Sequence, residues 1–299
     1  MNESTMKPTM QMYTFIQDAY DFFNDRLFAG QLPACLLTLQ RDSSVMGYFS
    51  NNRWQKGKDE ETVHEIALNP QYFITHRPLE LMQTLVHEMV HLWQHEFGKP
   101  SHRTYHNKEW ADKMESIGLM PSSTGEPGGK RTGQRMSDYP IKNGAFYLQC
   151  IVFSKMGYKL PFYDRCAKTG TSQVRNNDIE QLMETSLGAA ALIKEITLEE
   201  TVPEENTGCT FDSEEDRLAE LSLIRPFSEQ FDIDVVALSE KQELEAAAKR
   251  KATYLCQSCG DKAWGKPSLD LWCGKCKIAF VKLNGSDDSS DSEEMNDAA

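Results

Sequence analysis

At 299 residues, 39% of them hydrophobic and 26% charged, the chain is long enough to bury one sizeable core and to carry smaller modules beside it. Its formal net charge of −13 argues on average against nucleic acid, yet acidic residues crowd residues 178–245 and the tail after Gly285, while residues 249–282 are basic. No run approaches the ~20 apolar residues of a bilayer-spanning helix, and the opening MNESTMKPTMQMYTF lacks the pattern of a secretory signal, so a soluble, cytoplasmic protein with no membrane partner is expected.

In residues 11–28, Tyr13, Phe15, Ile16, Ala19, Tyr20, Phe22, Phe23 and Leu27 recur at helical spacing, and Gly30 supplies a stop. Residues 35–40, 45–50 and 63–68 are short and rich in strand formers, which predicts a small antiparallel sheet. Pro78 then suits the first turn of the strongest helix, over 79–97, which Gly98 and Pro100 end. Asn107 is placed to cap a further helix in which Trp110, Met114 and Ile117 share a face, closing at Gly118. Residues 121–135 are too rich in Gly, Pro and polar residues for regular structure and read as a long loop. Residues 145–162 return to aromatic and β-branched residues and are expected to add strands. Beyond residue 176 acidic residues dominate without a core pattern, with short helical stretches at 179–183 and 189–196, which reads as a linker. Residues 241–251 have the composition of a helix, and the acidic low-complexity tail from Gly285 is expected to be disordered.

The strongest helix carries His87-Glu88-Met89-Val90-His91, whose histidines lie one turn apart and face the same way, so that both can reach one ion. A zinc ion in a hydrolytic site takes three protein ligands and keeps a position for a water whose pKa falls to about 7. Glu88 is placed to take that water's proton and carry it to the leaving amine. Candidates for the third ligand are His95, His102, His106 and Glu109. His95 continues the series, but three successive turns spread over ~12 Å of helix axis, too far to converge on one zinc. His106 follows His91 closely enough for the chain to turn at Gly98 and Pro100 and return to the metal, and Glu109 stays open as the alternative ligand. Gln94 and Phe97 stand where a metzincin would have Gly and a third His, which excludes that arrangement.

The run His87-Glu-Met-Val-His91, then Tyr105-His106-Asn107, Trp110, Met114 and Ile117-Gly118, resembles the SprT-like zinc metalloproteases, the family related to Spartan, in its bacterial form with a C-terminal zinc ribbon. The similarity covers roughly residues 12–117, and Asn107 stands where the family commonly has Gly. The resemblance implies a zincin-like α+β fold, His106 as the third ligand, and protein substrates that include proteins attached to DNA.

Near the C-terminus, Cys256-Gln-Ser-Cys259 and Cys273-Gly-Lys-Cys276 supply four thiolates at the spacing of a closed, structural zinc site. Tyr254-Leu255, Leu271-Trp272 and residues 278–281 read as its strands. Lys262, Lys266, Lys275 and Lys277, with Trp264 and Trp272, form a candidate surface for phosphates and bases, and so a candidate DNA contact. Lys130, Arg131 and Arg135 of the Gly-rich loop are candidates for guiding substrate or nucleic acid, and Tyr105 and Tyr139 for stabilising an oxyanion.

Together these readings predict an α+β metalloprotease domain over 11–165, an acidic linker over 166–247, a zinc ribbon over 248–284 and an acidic tail over 285–299. Two zinc ions are expected, one catalytic and one structural. The expected function is endopeptidase; the alternative is a zinc-containing adaptor for nucleic acid or protein, against which the presence of Glu88 counts.

Overall fold

The computed structural model describes residues 6–41, 45–58, 61–102, 105–167 and 213–283. The helical stretches expected at 179–183 and 189–196 and the acidic tail lie outside them. The chain divides into two compact units, Met1–Val235 and Val236–Ala299.

In the first unit, helix α1 (Pro8–Phe28) starts on a proline whose missing N–H costs nothing there and buries Phe15, Ile16, Ala19, Tyr20, Phe23 and Leu27 along one face. Strands β1 (Leu36–Leu39), β2 (Gly47–Gln55) and β3 (Thr62–Leu68) form a sheet of order β1-β3-β2. This sheet is mixed rather than antiparallel: β1 runs parallel to β3, and only β2 pairs with it antiparallel. The connection between β2 and β3 is short enough for a hairpin, whereas β1 reaches β3 from the far side of β2's excursion, which reverses its direction. Val63 to Leu68 becomes almost wholly buried toward its C-terminal end, so a central strand covered on both faces shows little alternation in sequence.

Helix α2 (Pro78–Phe97) packs against β2 and β3. Glu80 accepts the Arg77 amide at 2.8 Å, closing its first turn. Its end is set by Gly98, where a β-carbon would stand 2.5 Å from Glu109 Oε2. Helix α3 (Lys108–Ser116) begins as the sequence predicts: the Asn107 side chain accepts the Trp110 amide at 3.1 Å. Strands β4 (Leu119–Ser122) and β5 (Ser137–Pro140) pair antiparallel and bracket the Gly-rich segment, so two short strands flank what reads as loop.

Residues 145–155 form helix α4 (Ala145–Lys155), not a strand. A short, continuously apolar run carries no period with which to choose between the two states, and here α1 contributes Phe22 and Phe23 against Phe146 and Phe153 on one side while a later helix covers another. That helix is α5 (Glu214–Ile224), followed by a turn of helix α6 (Phe227–Gln230). Both lie in the stretch expected to be linker. Ala219, Leu223, Ile224 and Phe227 are buried, Lys155 pairs with Asp216 at 2.7 Å, and the Phe227 amide donates to His76 O at 3.0 Å just before α2. The compact unit thus extends well past residue 165, because a few apolar side chains at helical spacing suffice inside an acidic stretch.

The second unit opens with helix α7 (Val235–Lys249), longer than the 241–251 expected. Strand β6 (Ala252–Leu255) is central, flanked antiparallel by β7 (Lys262–Gly265) and β8 (Val281–Lys282). The strand expected at Leu271-Trp272 is a single bridge, Trp272 to Ala279, and β7 was not foreseen. No described helix is long and apolar enough to cross a membrane.

Candidate metal centres

His87 and His91 project from one face of α2, and His106 arrives from the segment before α3. Each offers a ring nitrogen, and the three nitrogens lie within 4.8 Å of one another. His91 Nε2 and His106 Nε2 are 3.1 Å apart. Tetrahedral zinc with nitrogen bonds of about 2.0–2.1 Å separates its ligand nitrogens by about 3.3 Å, so the donor set fits that ion.

Two of the three rings are oriented from behind. His87 Nδ1 lies 2.8 Å from Asp138 Oδ2 on β5, a carboxylate 5% exposed, so Nδ1–H donates and Nε2 is left for a metal. Asp138 is itself held to α2 by Gln83, whose Nε2 donates to its backbone oxygen at 2.7 Å. His106 Nδ1 is 3.2 Å from Gly133 O, and the two residues exchange backbone hydrogen bonds of 2.8 and 3.1 Å. Trp110, fully buried, floors the site with its ring centroid 5.0, 5.5 and 4.4 Å from those of His87, His91 and His106.

Burial, reinforced by the positive charge of His87, holds His91 well below the ordinary histidine pKa and His106 down to about 4, so both are neutral and have a lone pair to give. Burial also pulls His87 down, but the Asp138 hydrogen bond and the charges of Glu88 and Asp138 more than offset it. Glu88 is buried where β2 runs against α2, and burial raises its pKa against the opposing effects of His87 and of the Phe49 amide that donates to it. Gly47 permits this approach, since a β-carbon there would meet Thr84 Cγ2 at 2.8 Å and Ala67 O at 2.9 Å.

The other candidates separate cleanly. Glu109 accepts Gln94 Nε2 at 2.8 Å and the Lys99 amide at 2.7 Å, clipping the turn between α2 and α3 rather than joining the histidines. His102 is exposed. Asn107, in the place of a glycine, caps α3, accepts Gln94 Nε2 at 2.8 Å and donates to Lys99 O at 3.0 Å. His95 joins His64 and Glu96 in a second group. There the Asn52 amide donates to His64 Nδ1 at 3.0 Å, so Nε2 carries the proton and faces Glu96 Oε1 at 3.1 Å. With no lone pair left at Nε2, that group ties the bulge of β2 to α2.

Lys130 and Arg135 are exposed, whereas Arg131 is paired with Glu115 at 2.5 Å and Asp112 at 3.2 Å. Tyr105 is 41% exposed, and strand alternation sends Tyr139 to the opposite side of β5 from Asp138. Asp138 and Gly133 were missed in the sequence; an Asp beside β-formers soon after a Gly-rich stretch is too common a pattern to single out.

In the second unit Cys256, Cys259, Cys273 and Cys276 bring their sulfurs within 4.8 Å of one another. Cys259 Sγ and Cys273 Sγ are 3.7 Å apart, against the roughly 3.8 Å expected for tetrahedral zinc with Zn–S near 2.3 Å. Hydrogen bonding from the Cys276 amide helps to bring the Cys273 thiol down to about 7, toward the thiolate that a metal needs. Lys275 is paired with Asp261 at 2.9 Å, while Lys262, Lys266 and Lys277 are exposed, as are Trp264 at 65% and Trp272 at 70%.

The sequence profile described as the SprT-like family matches residues 16–127, which contain all three histidines and Glu88. A Salmonella typhimurium protein described as "Uncharacterized protein in mucB 3'region" is 48% identical over 59 residues, 20% of this chain and 80% of that protein. The chain belongs to the SprT-like family. The matched, metallopeptidase-like stretch lies within the first unit, and Asp138 is supplied from just beyond it. No solved structure matches the chain.

Proposed function

We propose that this SprT-like protein is a zinc endopeptidase with a zincin-like active site. The observation that carries the reading is the convergence of His87, His91 and His106 beside a buried glutamate, Glu88. Zinc held there supplies Lewis acidity, polarising a carbonyl and lowering the pKa of a water to about 7. Glu88 receives the proton released as peptide-bond hydrolysis begins and delivers it to the departing amine. Its raised proton affinity suits the accepting step, since a carboxylate near its ordinary pKa is a weaker base. Asp138 and Gly133 keep the histidine rings aimed, and Trp110 keeps water from the back of the site.

The four-cysteine group is a structural zinc ribbon in this reading, with no position left open for a substrate. Its exposed Lys262, Lys266, Lys277, Trp264 and Trp272 support DNA as a partner, and with it protein substrates associated with or crosslinked to DNA. The test is cleavage of a DNA-binding protein, with and without DNA, by wild type and Glu88→Gln, alongside the zinc content of both. Cleavage by wild type alone, at equal zinc content, is the expected result. Equal cleavage by both, or none by either with zinc fully bound, refutes the protease reading and leaves an adaptor.

A further inference from the structure

We propose that Arg131 is a positioning residue for the third metal ligand, acting through Gly133. The inference rests on the reading of His106 as a ligand.

Unlike His87 and His91, His106 belongs to no helix, and Trp110 of α3 packs against its ring without giving it a hydrogen bond. Its direction comes from Gly133, whose carbonyl accepts both the His106 amide at 2.8 Å and the ring Nδ1–H at 3.2 Å. That fixes the tautomer and leaves Nε2 toward His91. Gly133, however, sits in the irregular segment between β4 and β5, where its pairing with His106 is a single isolated bridge. Two residues before it, the Arg131 guanidinium spans two carboxylates of α3: Nε donates to Glu115 at 2.5 Å and Nη2 to Asp112 at 3.2 Å.

The contacts form a closed circuit. His106 leads into the start of α3, Glu115 and Asp112 lie on that helix, Arg131 binds both, and Gly133 returns to His106. Arg131 thereby fastens to α3 the segment that aims the ligand. The guanidinium reaches the two carboxylates through different nitrogens of one planar group, a geometry that a lysine ammonium reproduces only in part. This use of Arg131 differs from contact with substrate or nucleic acid, and the two make different predictions.

The experiment uses the full chain loaded with cobalt(II). Thiolate-to-cobalt charge-transfer absorption reports the cysteine site, and the d–d absorption left after that site's own d–d bands are subtracted in proportion to it reports the histidine site, so each is followed separately. A wild type that binds no cobalt outside the cysteine site overturns the ligand reading itself. Given binding by wild type, Arg131→Ala is expected to weaken the histidine site by about three- to tenfold, less than the 10–100-fold typical when a direct partner of a ligand is lost. The cysteine site should be unchanged, Arg131→Lys should recover only part of the loss, and Arg131→Ala combined with Glu115→Gln should be no worse than either alone. Unchanged cobalt affinity and d–d spectrum in Arg131→Ala overturn the proposal, whether or not thermal stability drops. So does a defect confined to KM for the protein substrate with metal affinity intact, which would make Arg131 a substrate contact.

Discussion

Replacing Asp138 tests the site at the point where its geometry is most specific. The carboxylate accepts His87 Nδ1–H at 2.8 Å from a buried position, and α2 grips the same residue's backbone through Gln83, one turn before His87. Asp138→Asn keeps an acceptor in place but removes the charge that enriches the ring; Asp138→Ala removes both. Losing an outer partner of a metal-bound histidine costs 10–100-fold in metal affinity, or about 1.4–2.8 kcal/mol. The expected order is therefore about tenfold for Asp138→Asn and nearer a hundredfold for Asp138→Ala. Because Asp138 also raises the proton affinity of His87, its removal lessens proton competition and masks part of the loss near neutrality. Chelator competition at about pH 9, well above the ordinary histidine value of about 6.5, removes that compensation. If both variants stay within about twofold of wild type there, the carboxylate does not orient the ligand.

Glu88→Gln should keep its zinc and its fold while peptide hydrolysis falls by about two to four orders of magnitude; a variant that retains a tenth of wild-type turnover would remove Glu88 from the mechanism. In metal-free protein, His106 titrates near 4 because of burial and the charge of His87, against about 6.5 unfolded. Between those values the unfolded chain binds the extra proton, so lowering the pH through this window destabilises wild type relative to His106→Gln. Chemical denaturation of both at several pH values reads this directly, and parallel pH profiles would contradict it. Phe227→Ala, at a residue 1% exposed, should cost about 3–5 kcal/mol in denaturant unfolding of the first unit; a loss below about 1 kcal/mol would mean that α6 is no part of its core. Cys273→Ser should abolish amide-exchange protection across β6, β7 and β8, since a sheet this small has little core of its own without a metal at the four cysteines.

What could be read from the residues was whatever announces itself locally. Helix α2 has both caps and a sustained apolar period, and the His-Glu-x-x-His spacing needs only one helix to make sense. Asn107 announced α3 because a capping side chain acts within three residues. The two CxxC pairs likewise carry their geometry in their spacing. Errors arose where the deciding contact is distant. Residues 145–155 turn helical because α1 and α5 cover them on separate sides, and α5 docks from across a long acidic stretch whose described residues include four buried apolar side chains. The direction of β1 depends on which edge of β3 it meets, a matter of topology that no residue of β1 records.

The same division runs through the candidate site. The candidate ligands His87 and His91, and Glu88 beside them, lie where helix periodicity and motif spacing place them, so they stand out. Residues that aim them are Gly133, within the 121–135 stretch whose glycines and polar groups suggest only a loop, and Asp138 on β5 just after it. Gly133 acts through a backbone carbonyl, which any residue type would supply, and Asp138 acts across fifty-one residues from His87. Such partners leave no local signature, yet they set ring tautomers and hence which nitrogen is free to bind. The Gly-rich segment thus does for His106 and His87 what helical repetition does for the relative placement of His87 and His91. Variation around Arg131 should change metal affinity before it changes the fold, because its ion pairs with Glu115 and Asp112 on α3 are exposed.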